Sequence, residues 1–367
     1  MQHNKIKQSK IWLFAGCGLF TASFLLLYVA RNVTGFAQWY AVTVYPVLVS
    51  VIGRICGLLP VSVVEISLYI VVLLITVRLA FLIKGITRIE NSVSDVGRFF
   101  TRIFLFSGIL FLVYTLNCGI NYQRDSFAEC IELEVEEYTV EELRIVCEIL
   151  TEDINELTEI VARDENGLMV MGEENNKFFF GGELAVDAMK ETSTIYGELS
   201  GYYSQPKGLL CPWILSVQKL SGIYSPFTIE ANYNCAMVDY NIPFTMCHEL
   251  SHLRGFMQEQ EANFIAYLAC MTSESAEFQY SGSMLGWIHC MNTLYDADIE
   301  TWKEVRMMLD ESVFADLQAN SAFWAKYDGK TAEVADMIND SYLRANGQED
   351  GVKSYDKMVD LLVAYYK

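Results

Sequence analysis

The stretch Pro243-Phe244-Thr245-Met246-Cys247-His248-Glu249-Leu250-Ser251-His252-Leu253-Arg254-Gly255 decides how the rest of the chain is read. A proline in the first turn and a glycine just past the last one punctuate a short helix. On that helix positions i and i+4 lie one above the other. The imidazoles of His248 and His252 therefore reach a single metal ion, and Glu249 projects beside them toward a water on that ion. Zn2+ lowers the pKa of such a water toward neutrality and polarises the bond to be cleaved, while the glutamate takes the proton. The bland explanation is that two of four histidines fall at this spacing by chance, and the helix punctuation weighs against it. Cys247 points about 100° away from His248 around the helix and is expected in the core.

A catalytic zinc site needs a third protein donor, and a second helix starting near residue 258 offers Gln258, Glu259 and Glu261. The run through Arg254-Gly255 imitates the metzincin pattern, which would require His or Asp at position 258, where Gln258 stands. Glu259-Gln260-Glu261-Ala262-Asn263 instead matches the Glu-x-x-x-Asn arrangement of thermolysin-like and related enzymes. Glu259 is then the ligand and Asn263 the support for a zinc-bound histidine. Glu261, about 200° around the helix, stays the alternative ligand, because no spacing fixes where the helix begins. For either glutamate alone a solvated helix face is the plain alternative. His289 is a candidate donor to the oxyanion of the reaction, and Tyr280 and Tyr295 are candidates for the same task. A lone histidine beside Trp287 and Cys290 is more often a packed helix residue.

Before the motif, Phe227, Ile229, Ala231 and Tyr233 alternate with Thr228, Glu230, Asn232 and Asn234 in the period of a half-exposed strand. Residues 226–234 are the expected edge strand beside the metal helix, with Thr228, Glu230 and Asn232 as substrate-binding positions. Between Thr139 and Ala162, Leu143, Val146, Leu150, Ile154 and Leu157 recur at helical spacing. The helical period returns after Pro243 and continues to Tyr366, so this part is expected to be mainly helical with a small sheet.

Toward the N-terminus the composition changes. Residues 1–119 hold ten Lys/Arg against three Asp/Glu, a net of +7, and residues 120–367 hold sixteen against forty-three, a net of −27. Three apolar runs, about 11–30, 62–83 and 100–118, approach the roughly 20 residues that cross a bilayer. Residues 36–60 are apolar too, but Pro46 and Arg54 interrupt them, and Trp39, Tyr40 and Tyr45 suit the headgroup level. An amphipathic or re-entrant segment is expected there. Lys5, Lys7 and Lys10, with Lys84, Arg88, Arg98 and Arg102, place the N-terminus and the loop between the second and third spans in the cytoplasm, which sends residues 123–367 outside. The first span is read as an uncleaved anchor, and Phe14-Ala15-Gly16-Cys17 as no lipoprotein signal, since few apolar residues precede it. The acidic domain repels polynucleotides, so no nucleic-acid partner is expected. Ten cysteines without a CxxC pair read as buried thiols more than as a disulfide framework.

This order of features resembles an uncharacterised family of bacterial membrane proteins, a domain of unknown function with three N-terminal spans and a C-terminal zincin-like domain. The resemblance rests on Tyr45-Pro46, Leu59-Pro60, Gly222-Ile223-Tyr224-Ser225-Pro226-Phe227-Thr228, Glu230-Ala231-Asn232, Pro243-Phe244-Thr245, Arg254-Gly255 and Glu259 to Phe264. It continues in Tyr342-Leu343-Arg344, Asp350-Gly351-Val352 and Ser354-Tyr355. The Glu-x-Glu-Ala-Asn segment is also similar to one in the peptidases that cleave phage-type repressors, where the same helix supplies the third ligand. The resemblance implies anchoring and a metal site, and no named substrate. The fold expected is three transmembrane helices in a membrane region, 1–122, followed by a mainly helical α+β, gluzincin-type metallopeptidase domain, 123–367. The activity expected is Zn2+-dependent hydrolysis of an extracytoplasmic protein or peptide at the membrane, with Glu249 as general base. The competing readings are a zinc-binding membrane sensor or scaffold without general turnover, and an envelope amide hydrolase.

Overall fold

A computed structural model describes residues 2–87, 93–172, 177–348, 350–351 and 357–367. Arg88 of the basic loop, and Val352, Ser354 and Tyr355 of the C-terminal motifs, lie outside the described residues. Four helical segments are long and apolar enough to cross a bilayer by length and composition: Lys7–Asn32, Phe36–Gly57, Val63–Gly85 and Val96–Gln123. The first, third and fourth belong to α1 (Gln2–Asn32), α5 (Val63–Thr87) and α6 (Val93–Tyr114), the last continuing through a π turn over Thr115–Gly119. Gly16 faces Phe104, Phe20 packs on Phe104 and Phe111, and Gly119 faces Leu27, so α1 and α6 run side by side in the same direction.

The second segment, which the sequence set apart from the spans, is broken into α2 (Phe36–Thr43), α3 (Tyr45–Leu48), a π turn (Val49–Gly53) and α4 (Arg54–Gly57). Pro46 in the first turn of α3 cannot donate a backbone hydrogen bond, which favours a break there. One face lies along the C-terminal domain. The Arg54 guanidinium sits 4.4 Å over the Tyr202 ring and Lys207 Nζ donates to the Cys56 carbonyl at 2.8 Å, while Tyr40 Oη donates at 2.9 Å to the Leu116 carbonyl of the last apolar segment. Trp39, Val42, Val47, Val51 and Ile55 are exposed.

The C-terminal domain holds α7 (Phe127–Cys130), α8 (Val140–Thr158), α9 (Lys177–Ile195), α10 (Trp213–Ser216), α11 (Asn241–Leu253), α12 (Glu259–Thr272), α13 (Ala276–Ala297), α14 (Ile299–Arg306), α15 (Val313–Ala325), α16 (Lys330–Ala345) and α17 (Met358–Tyr366). Thr139 and Glu142 close a capping box at the start of α8, and Leu143, Val146, Leu150, Ile154 and Leu157 are its buried stripe. α11 and α12 are buried almost all round, as central helices are. All ten cysteines are free thiols.

Three short strands, β1 (Lys207–Gly208), β2 (Gly222–Ser225) and β3 (Glu230–Tyr233), form a mixed sheet of order β1-β3-β2. β1 and β3 are parallel, and β2 and β3 antiparallel with Gly222 opposite Tyr233. This corrects the expected substrate strand. The strand at 230–233 is central, paired on both sides and buried along its whole length, so Glu230 and Asn232 face no substrate. Glu230 instead forms a buried ion pair with Lys207 (2.5 Å) and accepts from the backbone N–H of Val63 and Val64, both at 3.0 Å. Asn232 Nδ2 donates to the Ile223 carbonyl, and Thr228 lies in the turn between strands, bonded to Ser225. β1 and β2 are the two edge strands, and β2 is the one nearer α11. The Asn234 amide donates to the Ser221 carbonyl, and alternation along the ladder turns the N–H and C=O of Gly222 and Tyr224 away from β3.

Candidate metal centre

α11 carries His248, Glu249 and His252 on consecutive turns, ending at Gly255, whose φ of +88° lets the chain reverse. After Gln258 the chain re-enters a helix, and Glu259 is the first residue of α12. The reversal folds α12 back onto α11. His252 Nδ1 lies 2.8 Å from the Phe256 carbonyl, within the reversal itself, and His248 Nδ1 lies 2.7 Å from Asn263 Oδ1. An Nδ1–H donated to each oxygen leaves the two Nε2 lone pairs for another partner. Both point to Glu259: its Oε2 is 3.2 Å from His248 Nε2 and 3.8 Å from His252 Nε2. The three donors lie within 4.8 Å of one another.

Donors about 2.1 Å from a tetrahedral ion stand about 3.4 Å apart, and the two nitrogen–oxygen separations bracket that spacing. Glu249 Oε2 adds a second indication. It is buried and has no hydrogen-bond partner among the described residues, a costly state that an ion-bound water would relieve. His248, His252 and Glu259 thus fit a divalent ion, with Glu249 beside it.

The electrostatics agree with a buried site. Burial opposes a charged imidazole at both histidines. At His248 the hydrogen bond and charge of Glu259 outweigh it and raise the pKa above the ordinary value. At His252 burial wins and pushes it down to about 4. Burial also lifts Glu249 to about 8, against the charge of His248 and with that of Glu259.

Glu261 is not brought to the cluster. It points to the start of α7, where its Oε2 accepts the Ala128 N–H at 3.2 Å. Burial raises its pKa to about 7, with the N–H groups of Ala128 and Phe127 pulling the other way. Two oxyanion candidates are corrected as well. Tyr280 is buried against Asp316 (2.8 Å) and Arg163, and Tyr295 stacks edge-on against Trp302 with half its surface exposed. Neither lines the cleft at the cluster; His289 does.

That cleft has a volume of about 690 Å³. Two further residues support the centre: Gly222, to which the sequence assigned no task, and Tyr45, which the sequence put at the headgroup level and which is instead buried. Gly222 gives Glu249 its space, since a Cβ there would sit 2.4 Å from Glu249 Oε1 and 2.8 Å from Thr245 Cγ2. Tyr45, fully buried, donates to the His252 carbonyl at 3.2 Å and lies 2.8 Å from the hydroxyl of Tyr224. Both belong to motifs visible in the sequence, Tyr45-Pro46 and Gly222-Ile223-Tyr224, but their contacts are made with residues distant along the chain.

No curated protein and no solved structure matches the chain. A family model described as "Protein of unknown function (DUF3810)" matches residues 40–363. The match takes in the broken apolar segment, two of the long apolar helices, the whole sheet and the three converging donors, and the chain therefore belongs to the DUF3810 family.

Proposed function

We propose that this protein is a membrane-anchored zinc metallopeptidase of zincin-like architecture. The observation that carries the reading is the convergence of His248 Nε2, His252 Nε2 and Glu259 Oε2 beside a buried, unsatisfied Glu249 carboxylate, in a cleft bordered by a free strand edge. Zinc bound there would activate a water and polarise a carbonyl. Asn263 and the Phe256 carbonyl hold the two rings with Nε2 turned inward. A cation held by the three donors would offset the burial that raises the Glu249 pKa and keep its carboxylate ionised, so that Oε2 can take a proton from the attacking water and deliver it to the leaving amine. The backbone groups of Gly222 and Tyr224 align an extended substrate by strand addition, and His289, on the same cleft, is the imidazole available to the carbonyl oxygen.

The anchoring part of the proposal is three spans, α1, α5 and α6, with residues 36–57 at the interface. That segment touches the domain from Tyr45 to Cys56 instead of leaving it, and its far side is apolar. Lys7 and Lys10 at the start of α1 lie at the same end as Lys84 of α5 and Arg98 and Arg102 of α6, with the Arg102 guanidinium over the Trp12 ring, and by the positive-inside rule this end faces the cytoplasm and the domain lies outside.

The test is Glu249→Gln in the full-length protein, with zinc content and cleavage of a peptide library both measured. The variant is expected to retain zinc and lose activity by roughly 10²- to 10⁴-fold, the usual contribution of a general base. Undiminished cleavage by the variant, or a wild-type protein that binds no zinc, would overturn the reading.

A further inference from the structure

The walls of the cleft are rooted in the membrane helices, and we infer that the site takes the juxtamembrane stretch of a membrane-anchored polypeptide, laid along β2 with its bilayer end at Ser225. The inference rests on the peptidase reading and narrows its substrate class.

Tyr114 and Cys118, from the last turns of the segment Val96–Gln123, line the same cleft as Glu249. A hydrocarbon core of about 30 Å takes roughly 20 residues, so a span that enters near Phe99 leaves near Cys118. The cleft therefore begins where α6 leaves the bilayer. One end of β2 is fixed at this level. Asn117 Nδ2 donates to the Pro226 carbonyl at 2.7 Å, and across the turn Glu230 caps the first residues of α5. The opposite wall carries Asp336, Asn339 and Tyr342 of α16. It is rooted in the same place, with Arg31 donating to the Ala345 carbonyl at 2.7 Å and Tyr114 Oη to Asn346 Oδ1 at 2.6 Å.

The other end of β2 is at the chemistry, because Gly222 packs on Glu249. From Ser225 to Gly222 is three residues, a rise of about 10 Å. A strand added to the free edge would thus bring to Glu249 a bond only about three residues, ~10 Å, above the interface. A segment emerging from the bilayer reaches that position directly. A loop of a soluble protein would have to bring its folded body down to the membrane surface.

The test uses the full-length protein in lipid vesicles and one cleavable peptide sequence, either free or tethered by a lipid chain through spacers of about 3 to 20 residues. A second, turnover-independent readout uses Glu249→Gln with a photoreactive phenylalanine in place of Ile223, which is exposed and lines the cleft. Cleavage and crosslinking are both expected to peak with the scissile bond about three to six residues from the anchor, and to fall at least tenfold at the longest spacer, although both tethers concentrate the peptide equally. Equal cleavage of free and tethered peptide, or no dependence on spacer, would overturn the inference and leave the peptidase reading standing. Short-spacer crosslinking without any cleavage by wild type would instead support the docking inference and sink the peptidase reading. Absence of both would overturn both.

Discussion

The helix pair α11–α12 and the strand pair β2–β3 meet at Glu249 and hold it by different means. The helices work through partners close in sequence: His252 with Phe256, His248 with Asn263, Glu259 on the turn directly after the reversal. The strands work through partners far away: Glu230 with Lys207 and the start of α5, Pro226 with Asn117, Gly222 with Glu249. Helical periodicity and the short reversal at Gly255 set the first arrangement, whereas the second is completed only once the membrane segment and the domain have docked. Damage to the helix pair should therefore appear at the metal with the fold intact. Damage to the strand pair should appear first as lost stability.

The largest effect is expected at the third donor. Glu259→Ala removes one of the three proposed donors and should weaken zinc binding well beyond the ~100-fold that supporting residues cost, read by chelator competition. Glu261→Ala should leave zinc in place and lose only the acceptor for the N–H of Ala128. The opposite pattern, metal lost with Glu261 and kept without Glu259, would break the comparison at its strongest point.

These differences also mark what was legible beforehand. His248, His252, Glu259 and Asn263 could be placed together because i, i+4 spacing on a helix is local, while Glu261 stayed open because spacing does not fix where a helix begins. The stripe of α8 was legible for the same reason. The edge strand was not. Thr228, Glu230 and Asn232 alternate with apolar residues as if solvated, yet the two strand residues are buried, Glu230 paired with Lys207 and the start of α5 and Asn232 donating from Nδ2 to the Ile223 carbonyl. A period of two says which residues share a face, and not which strand closes the sheet. Tyr280 fails likewise, since its partners Arg163 and Asp316 lie far from it in sequence.

A middle-sized effect is expected from the strand pair. Glu230→Ala leaves Lys207 charged and buried, a loss of about 3–5 kcal/mol, or on the order of 10 °C in Tm, with the three clustered donors untouched. Thr228→Ala, in the turn, should cost under about 1 kcal/mol. Thermal unfolding of detergent-solubilised variants checks both. If Glu230→Ala were to keep the wild-type Tm and abolish cleavage, β3 rather than β2 would be the strand that meets substrate.

The smaller of the two effects expected at the metal centre concerns Asn263, and it sharpens the comparison most, because the residue would reach a bound ion only through the His248 ring. Its Oδ1 can accept from His248 Nδ1 at 2.7 Å, which turns Nε2 toward Glu259. Truncation to alanine leaves the imidazole free to rotate or to change tautomer, so zinc affinity should fall by about 10- to 100-fold, or ~1.4–2.7 kcal/mol, with little change in Tm. Aspartate at the same position can only accept from an Nδ1–H and should keep affinity near wild type. If the amide instead donated to Nδ1, the proton would sit on Nε2, and aspartate would reverse the tautomer and raise affinity well above wild type. Equal zinc affinity in wild type and Asn263→Ala would mean that α12 contributes to the centre through Glu259 alone.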